Sequence, residues 1–80
     1  MSKIEKLIKR FQTYPLPKDI DFEDYVKYAN YYGFKIVRTN GSHNIFANEE
    51  GVEITVSTVN GRKVKAYFIN DLNIIIGKRC

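Results

Sequence analysis

The feature that most constrains this chain is a change of hydrophobic period at Gly33. Before it, apolar residues recur every three or four positions. Ile4, Leu7, Ile8 and Phe11 form one helical stripe, and Phe22, Tyr25, Val26, Ala29 and Tyr32 form a second. After it, Phe34-Lys35-Ile36-Val37-Arg38-Thr39 alternates and is rich in β-formers. A helical stripe and a one-sided strand each need another element to cover them, so this order predicts helices laid against a sheet.

Local punctuation sets the element boundaries. Ser2-Lys3-Ile4-Glu5 is a capping-box pattern at the start of the first helix. Tyr14-Pro15-Leu16-Pro17 ends that helix and makes a stiff connection. Asp19 or Asp21 caps the second helix, whose first-turn acids suit the helix dipole, and Gly33 is placed as its C-terminal cap. Asn40-Gly41 is a strong hairpin signal, with a returning strand over His43 to Ala47. Asn48-Glu49-Glu50-Gly51 is a second turn, and a third strand over Val52 to Thr58 puts Val52, Ile54 and Val56 on one face. Asn60-Gly61 marks another break. In the last segment Val64, Phe68, Leu72 and Ile75 fit a helix face, whereas Val64, Ala66 and Phe68 also fit a fourth strand; the length of Val64 to Ile76 favours the helix. The expected fold is α+β, in the order α-α-β-β-β-α, with a three-stranded antiparallel meander and helices on one face.

Composition narrows the function classes. Eighty residues make one domain, 1–80, and 44% hydrophobic with 28% charged residues is a globular balance. Cys80 is the one cysteine, which excludes a disulfide framework and a cysteine zinc cluster and fits a reducing, cytoplasmic location. The longest apolar cluster, Ile74-Ile75-Ile76, falls far short of the roughly 20 residues of a membrane span. The opening MSKIEKLIKRF is basic and amphipathic without the pattern of a signal peptide. A net charge of +4 suits a polyanion such as RNA or DNA. The charge is also segregated along the chain. Asp19, Asp21, Glu23 and Asp24 crowd one stretch and Arg62, Lys63 and Lys65 another, while Lys35 and Arg38 lie just before the only histidine, His43.

GSHNIF over residues 41–46, then EITV and GRKVKAYFINDL, resembles the HicA family of toxins from type II toxin–antitoxin systems. The resemblance covers Phe22 to Ile76, residues 22–76 as a core, with residues 1–14 similar to the N-terminal helical extension of a longer branch. It implies a fold like that of double-stranded RNA-binding domains, α-β-β-β-α with one helix added in front. It implies metal-independent cleavage of messenger RNA with no cofactor, a HicB-like antitoxin as protein partner, His43 as the catalytic residue, and Gly41 and Ser42 shaping the turn that carries it. Ala66-Tyr67 stands where many members have Pro-Gly at the start of the last helix.

The residue types suit that chemistry. Metal-free cleavage uses the RNA's own 2′-hydroxyl, and histidine as a residue type titrates near 6.5, which fits a general base at cell pH. Lys35, Arg38, Lys63 and Lys65 are candidates to stabilise the phosphorane, and Arg62, Lys63 and Lys65 to contact RNA near the last helix. The general acid is a lysine, Tyr67 or water. Blander readings stand beside these. A histidine after a hairpin turn also occurs as a structural or solvated residue, and its parity with Ile45 and Ala47 allows a core-facing position. Tyr28, Tyr31 and Tyr32 either stack on bases or pack between helices with hydroxyls in water. One histidine without neighbouring cysteines or acids makes no metal site.

Overall fold

The computed structural model describes residues 3–77. Three helices and a three-stranded antiparallel sheet form one α+β unit: α1 Lys3–Phe11, β1 Ile20–Asp21, α2 Phe22–Tyr31, β2 Lys35–Asn40, β3 His43–Ala47, β4 Glu53–Ser57, β5 Lys63–Val64 and α3 Ala66–Ile76. The main sheet runs β2-β3-β4. Its inner face carries Phe46, Ile54 and Val56, all buried, and the rings of Tyr25 and Phe22 on α2 meet Phe46 edge-on. Phe68, Ile69 and Leu72 of α3 and Phe11 of α1 close the same core.

Both helix ends around the period change are built as the sequence suggests, with one difference. Gly33 has φ 89°, a left-handed conformation that suits glycine. The Gly33 amide donates to the Asn30 carbonyl and the Phe34 amide to the Ala29 carbonyl, the paired bonds of a Schellman motif, with Phe34 driven into the core. At the other end Asp21 is the N-cap of α2 but makes no side-chain capping bond. Its carboxylate is taken by Lys63 Nζ at 2.5 Å. The expected capping box of α1 and the expectation for Cys80 involve Ser2 and Cys80, which lie outside the described residues.

The segment read as helix or strand is both in turn. Lys63–Val64 pairs antiparallel with Ile20–Asp21, and the helix starts two residues later at Ala66. Ile20 and Val64 face each other fully buried, and the Phe22 amide donates to the Arg62 carbonyl at 2.7 Å. This ribbon has no periodic signature, because each strand contributes only two residues. Just before β5 the chain turns at Asn60-Gly61, both at positive φ, and the turn is closed by the antiparallel Val59–Lys63 bridge.

The N-terminal helix is an integral part of the core. Phe11 is completely buried and packs edge-on against Tyr28. Its carbonyl, one of those left without a partner at a helix end, accepts from Asn73 Nδ2 at 2.8 Å. Asn73 Oδ1 accepts from the Tyr28 hydroxyl at 2.5 Å, and that hydroxyl in turn accepts from Gln12 Nε2. Tyr14 accepts from Asn73 and donates to Asn70. The hydroxyl of Tyr28 therefore does not reach water, contrary to the sequence reading. Burial raises its pKa to about 12, partly offset by the Gln12 bond.

Tyr25 is the counter-case. It is equally buried, yet among the described residues its hydroxyl has no hydrogen-bond partner. Burial, with the charge of Asp71 adding to it, pushes this phenol far above its usual range. Tyr25→Phe removes an unsatisfied polar atom and should leave stability within about 0.5 kcal/mol of wild type or raise it. Asn73→Ala strands the Phe11 carbonyl and should cost on the order of 2–4 kcal/mol. Urea unfolding of the two variants checks both. Both phenols stay neutral in the fold while an unfolded tyrosine ionises near pH 10. Stability is thus fully present below about pH 10 and falls as pH rises from there toward about 12, the folded value of Tyr28. Circular dichroism across that window reads the loss.

Candidate functional site

His43 is the first residue of β3 and is exposed. The strand's burial alternates, with Asn44 and Phe46 inward and His43 outward. The parity shared with Ile45 and Ala47 is therefore that of the open face of the sheet, not of the core. Two details of the hairpin secure this. The loop is Gly41-Ser42, closed by the Asn40–His43 pair, one residue later than Asn40-Gly41. Gly41 has φ 62° and Ser42 is not at positive φ, the pattern of a II′ turn. The Ser42 carbonyl then accepts from the Thr58 amide at 3.0 Å, from the Thr58 hydroxyl at 3.4 Å and from Asn44 Nδ2 at 3.4 Å. Ser42 acts here through its backbone, tying the turn to the end of β4. Asn44 points inward and is satisfied by that carbonyl and by Thr39.

The second detail is a β-bulge at Val37. Uninterrupted alternation would put Arg38 on the same face as Phe34 and Ile36. Instead the register steps from Ile36↔Phe46 to Arg38↔Ile45, so Arg38 emerges on the face of His43 and Thr39 turns inward. Lys35, opposite Ala47, shares the open face but lies four residues along β3 from His43, or ~13 Å. Arg38 is two residues along, and its guanidinium reaches toward Glu53 at 3.9 Å. Both side chains are more than half exposed, so that pair is weak and open to exchange for a phosphate.

Two neighbours of His43 escape a reading of the sequence. Ser57 on β4 pairs directly with His43, and Asn40 on β2 pairs with it from the other side. Ser42 and Thr58 form the hydrogen-bonded pair beside them, which makes His43 and Ser57 a non-hydrogen-bonded pair, with Cβ atoms about 4.5–5.5 Å apart on one face. Asn40, His43 and Ser57 thus form a polar row across three strands at the turn end of the sheet. Only the register could find Ser57, since fourteen residues of sequence separate it from His43.

The basic run after β4 behaves differently from the sequence reading. Arg62 and Lys65 are exposed, Lys65 at the N-cap of α3. Lys63 is paired with Asp21, and its ammonium is held charged first by Asp21 and further by Asp19 and Asp24; Lys63 and Arg10 hold the Asp21 carboxyl below its usual range. The acidic and basic runs, separate along the chain, are brought together by the β1–β5 ribbon. The expected charge segregation is corrected accordingly: these two runs offset each other in the fold. Of the three tyrosines considered for stacking, Tyr28 is fully buried, Tyr32 is half-buried with its hydroxyl accepting from Gln12, and Tyr31 stands exposed.

Among the described residues no group of three or more His, Cys, Asp or Glu side chains is placed to hold a metal ion. No helix among them is long and apolar enough to cross a membrane. Scans against protein-family models, curated proteins and solved structures return no match. Nothing lies within 4 Å of a Cβ built on Gly41, so its constraint is purely backbone. Gly41→Ala should cost about 1–2 kcal/mol by placing an L side chain at positive φ. It should also broaden the His43 imidazole resonances in NMR as the turn loosens.

Proposed function

We propose that this chain is a HicA-like toxin, a small endoribonuclease that cleaves messenger RNA without a metal and is held inactive by a HicB-like antitoxin. In this reading the core from α2 to α3 is a fold of the double-stranded RNA-binding type, with α1 added in front. The observation that carries the proposal is the presentation of His43. It is the only histidine, it is exposed on the uncovered face of the sheet, and a Gly-Ser turn anchored to β4 fixes its backbone.

His43 takes the proton from a ribose 2′-hydroxyl. The 2′-oxygen bonds to the adjacent phosphorus, the bond from phosphorus to the 5′-oxygen breaks, and that oxygen leaves with a proton from solvent or a lysine. The products are a 2′,3′-cyclic phosphate and a 5′-hydroxyl. Ser57 and Asn40 flank the imidazole and offer hydrogen bonds to the ribose and phosphate. Arg38 supplies positive charge once a phosphate draws it from Glu53. One acid–base group contributes about 10²–10⁴-fold, so slow turnover is expected.

A non-catalytic RNA-binding module of the same fold is the second reading. The observation that favours it is that the cross-strand neighbours of His43, Asn40 and Ser57, do not titrate near neutral pH, so no paired acid stands beside the base. Induction of wild type and His43→Ala in a bacterium lacking the antitoxin separates the two. Under the first reading only wild type arrests growth and degrades messages, and purified protein yields cyclic-phosphate ends in the presence of EDTA. Ser57→Ala should slow that cleavage about tenfold or more while the fold is retained. Equal arrest by wild type and His43→Ala, with intact RNA, selects the binding module.

A further inference from the structure

We infer that the outer face of α1, with the proline strap that follows it, is a binding groove for the sugar–phosphate backbone of single-stranded RNA. This rests on the proposal that RNA is the substrate, and it places the hold on that substrate at a surface outside the histidine site. Lys3, Lys6, Lys9 and Arg10 are all exposed on α1, against the single acid Glu5. At 100° per residue Lys6 and Lys9 lie opposite Leu7, Ile8 and Phe11, which face the core, and Lys3 and Arg10 lie on the flank beside Leu7. The strap folds back beside them, so that Lys6, Lys9, Arg10, Thr13, Pro15 and Pro17 line a groove of about 530 Å³. Ammonium and guanidinium groups on one wall suit phosphates, and rigid proline rings on the other offer apolar contact to sugars and bases.

Charge placement elsewhere favours this surface. Lys63 is offset by Asp21, with Asp19 and Asp24 nearby, and Arg38 is turned toward Glu53. On α1 the acidic run reaches the flank alone, where Arg10 lies near Asp21 and Lys3 shares a cavity wall with Asp24, and Lys6 and Lys9 stand on the outer face beyond it. A lipid surface is the weaker match, because binding in a bilayer interface needs the apolar side of an amphipathic helix, and here that side is packed in the core.

Fluorescence anisotropy with a labelled single-stranded RNA of mixed sequence, titrated with salt, tests the inference. All proteins carry His43→Ala so that the probe stays intact. Lys6→Gln with Lys9→Gln should lower affinity and flatten the slope of log K against log salt by about 1.4, the release expected from two single-strand phosphate contacts. Lys6→Arg with Lys9→Arg should retain the slope. The charge-matched pair Lys18→Gln and Lys27→Gln should leave it nearly unchanged. An unchanged slope in the Lys6–Lys9 variant overturns the inference, as does an equal change in both neutralised pairs, which would reduce the effect to net charge. Loss of sedimentation with anionic phosphatidylserine vesicles, with RNA affinity intact, would assign the surface to lipid instead. Cleavage that is unaffected by His43→Ala defeats the catalytic proposal alone, and the same titration is then read with a 2′-O-methyl probe, which holds no 2′-hydroxyl to attack its own phosphate.

Discussion

The side chain of Asn73 is the joint on which the three helices depend. It sits on α3 with no solvent exposure, and its amide and carbonyl reach α1 through the Phe11 carbonyl, α2 through the Tyr28 hydroxyl, and the strap through Tyr14. A buried amide without partners would cost several kilocalories per mole, so the arrangement is stable only when all of these elements are in place together. That requirement couples the N-terminal helix to the rest of the chain and makes it part of the core, even though it reads as an extension in sequence.

With the helices locked on one side, the sheet has one covered face and one open face, and its register determines what the open face displays. The bulge at Val37 and the Gly-Ser turn act at opposite ends of the same hairpin. One turns Arg38 outward and the other sets His43 opposite Asn40 and Ser57. Loss of the bulge would exchange inward and outward residues of β2 and turn Arg38 from the face of His43, and a one-residue slip at the turn would change which residues of β2 stand opposite the histidine. The chemistry proposed for this face rests on side-chain identity, and its geometry rests on backbone pairing.

The β1–β5 ribbon has a comparable influence on charge. Two residues on each side suffice to bring the acidic run before α2 against the basic run before α3. The surface potential is therefore different from the one implied by charges along the chain. Positive charge is left most concentrated on α1 rather than beside the last helix.

The sequence by itself determined the element types and most of their order. The period change at Gly33, the proline break after α1 and the turn residues at Asn48–Gly51 and Asn60-Gly61 are local signals, each acting within a few residues and each legible without partners. It also singled out His43 and the turn in front of it. The tertiary structure alone decided the ribbon, the bulge, the place of Ser57 beside the histidine, the burial of Tyr28 and the joint at Asn73. The ribbon, the burial of Tyr28 and the joint at Asn73 depend on contacts between residues tens of positions apart, and the bulge and the place of Ser57 on a cross-strand register that the hydrophobic period leaves open. Their stability comes from satisfying one another's hydrogen bonds in a closed core, and a linear chain holds no record of that until the distant partners meet.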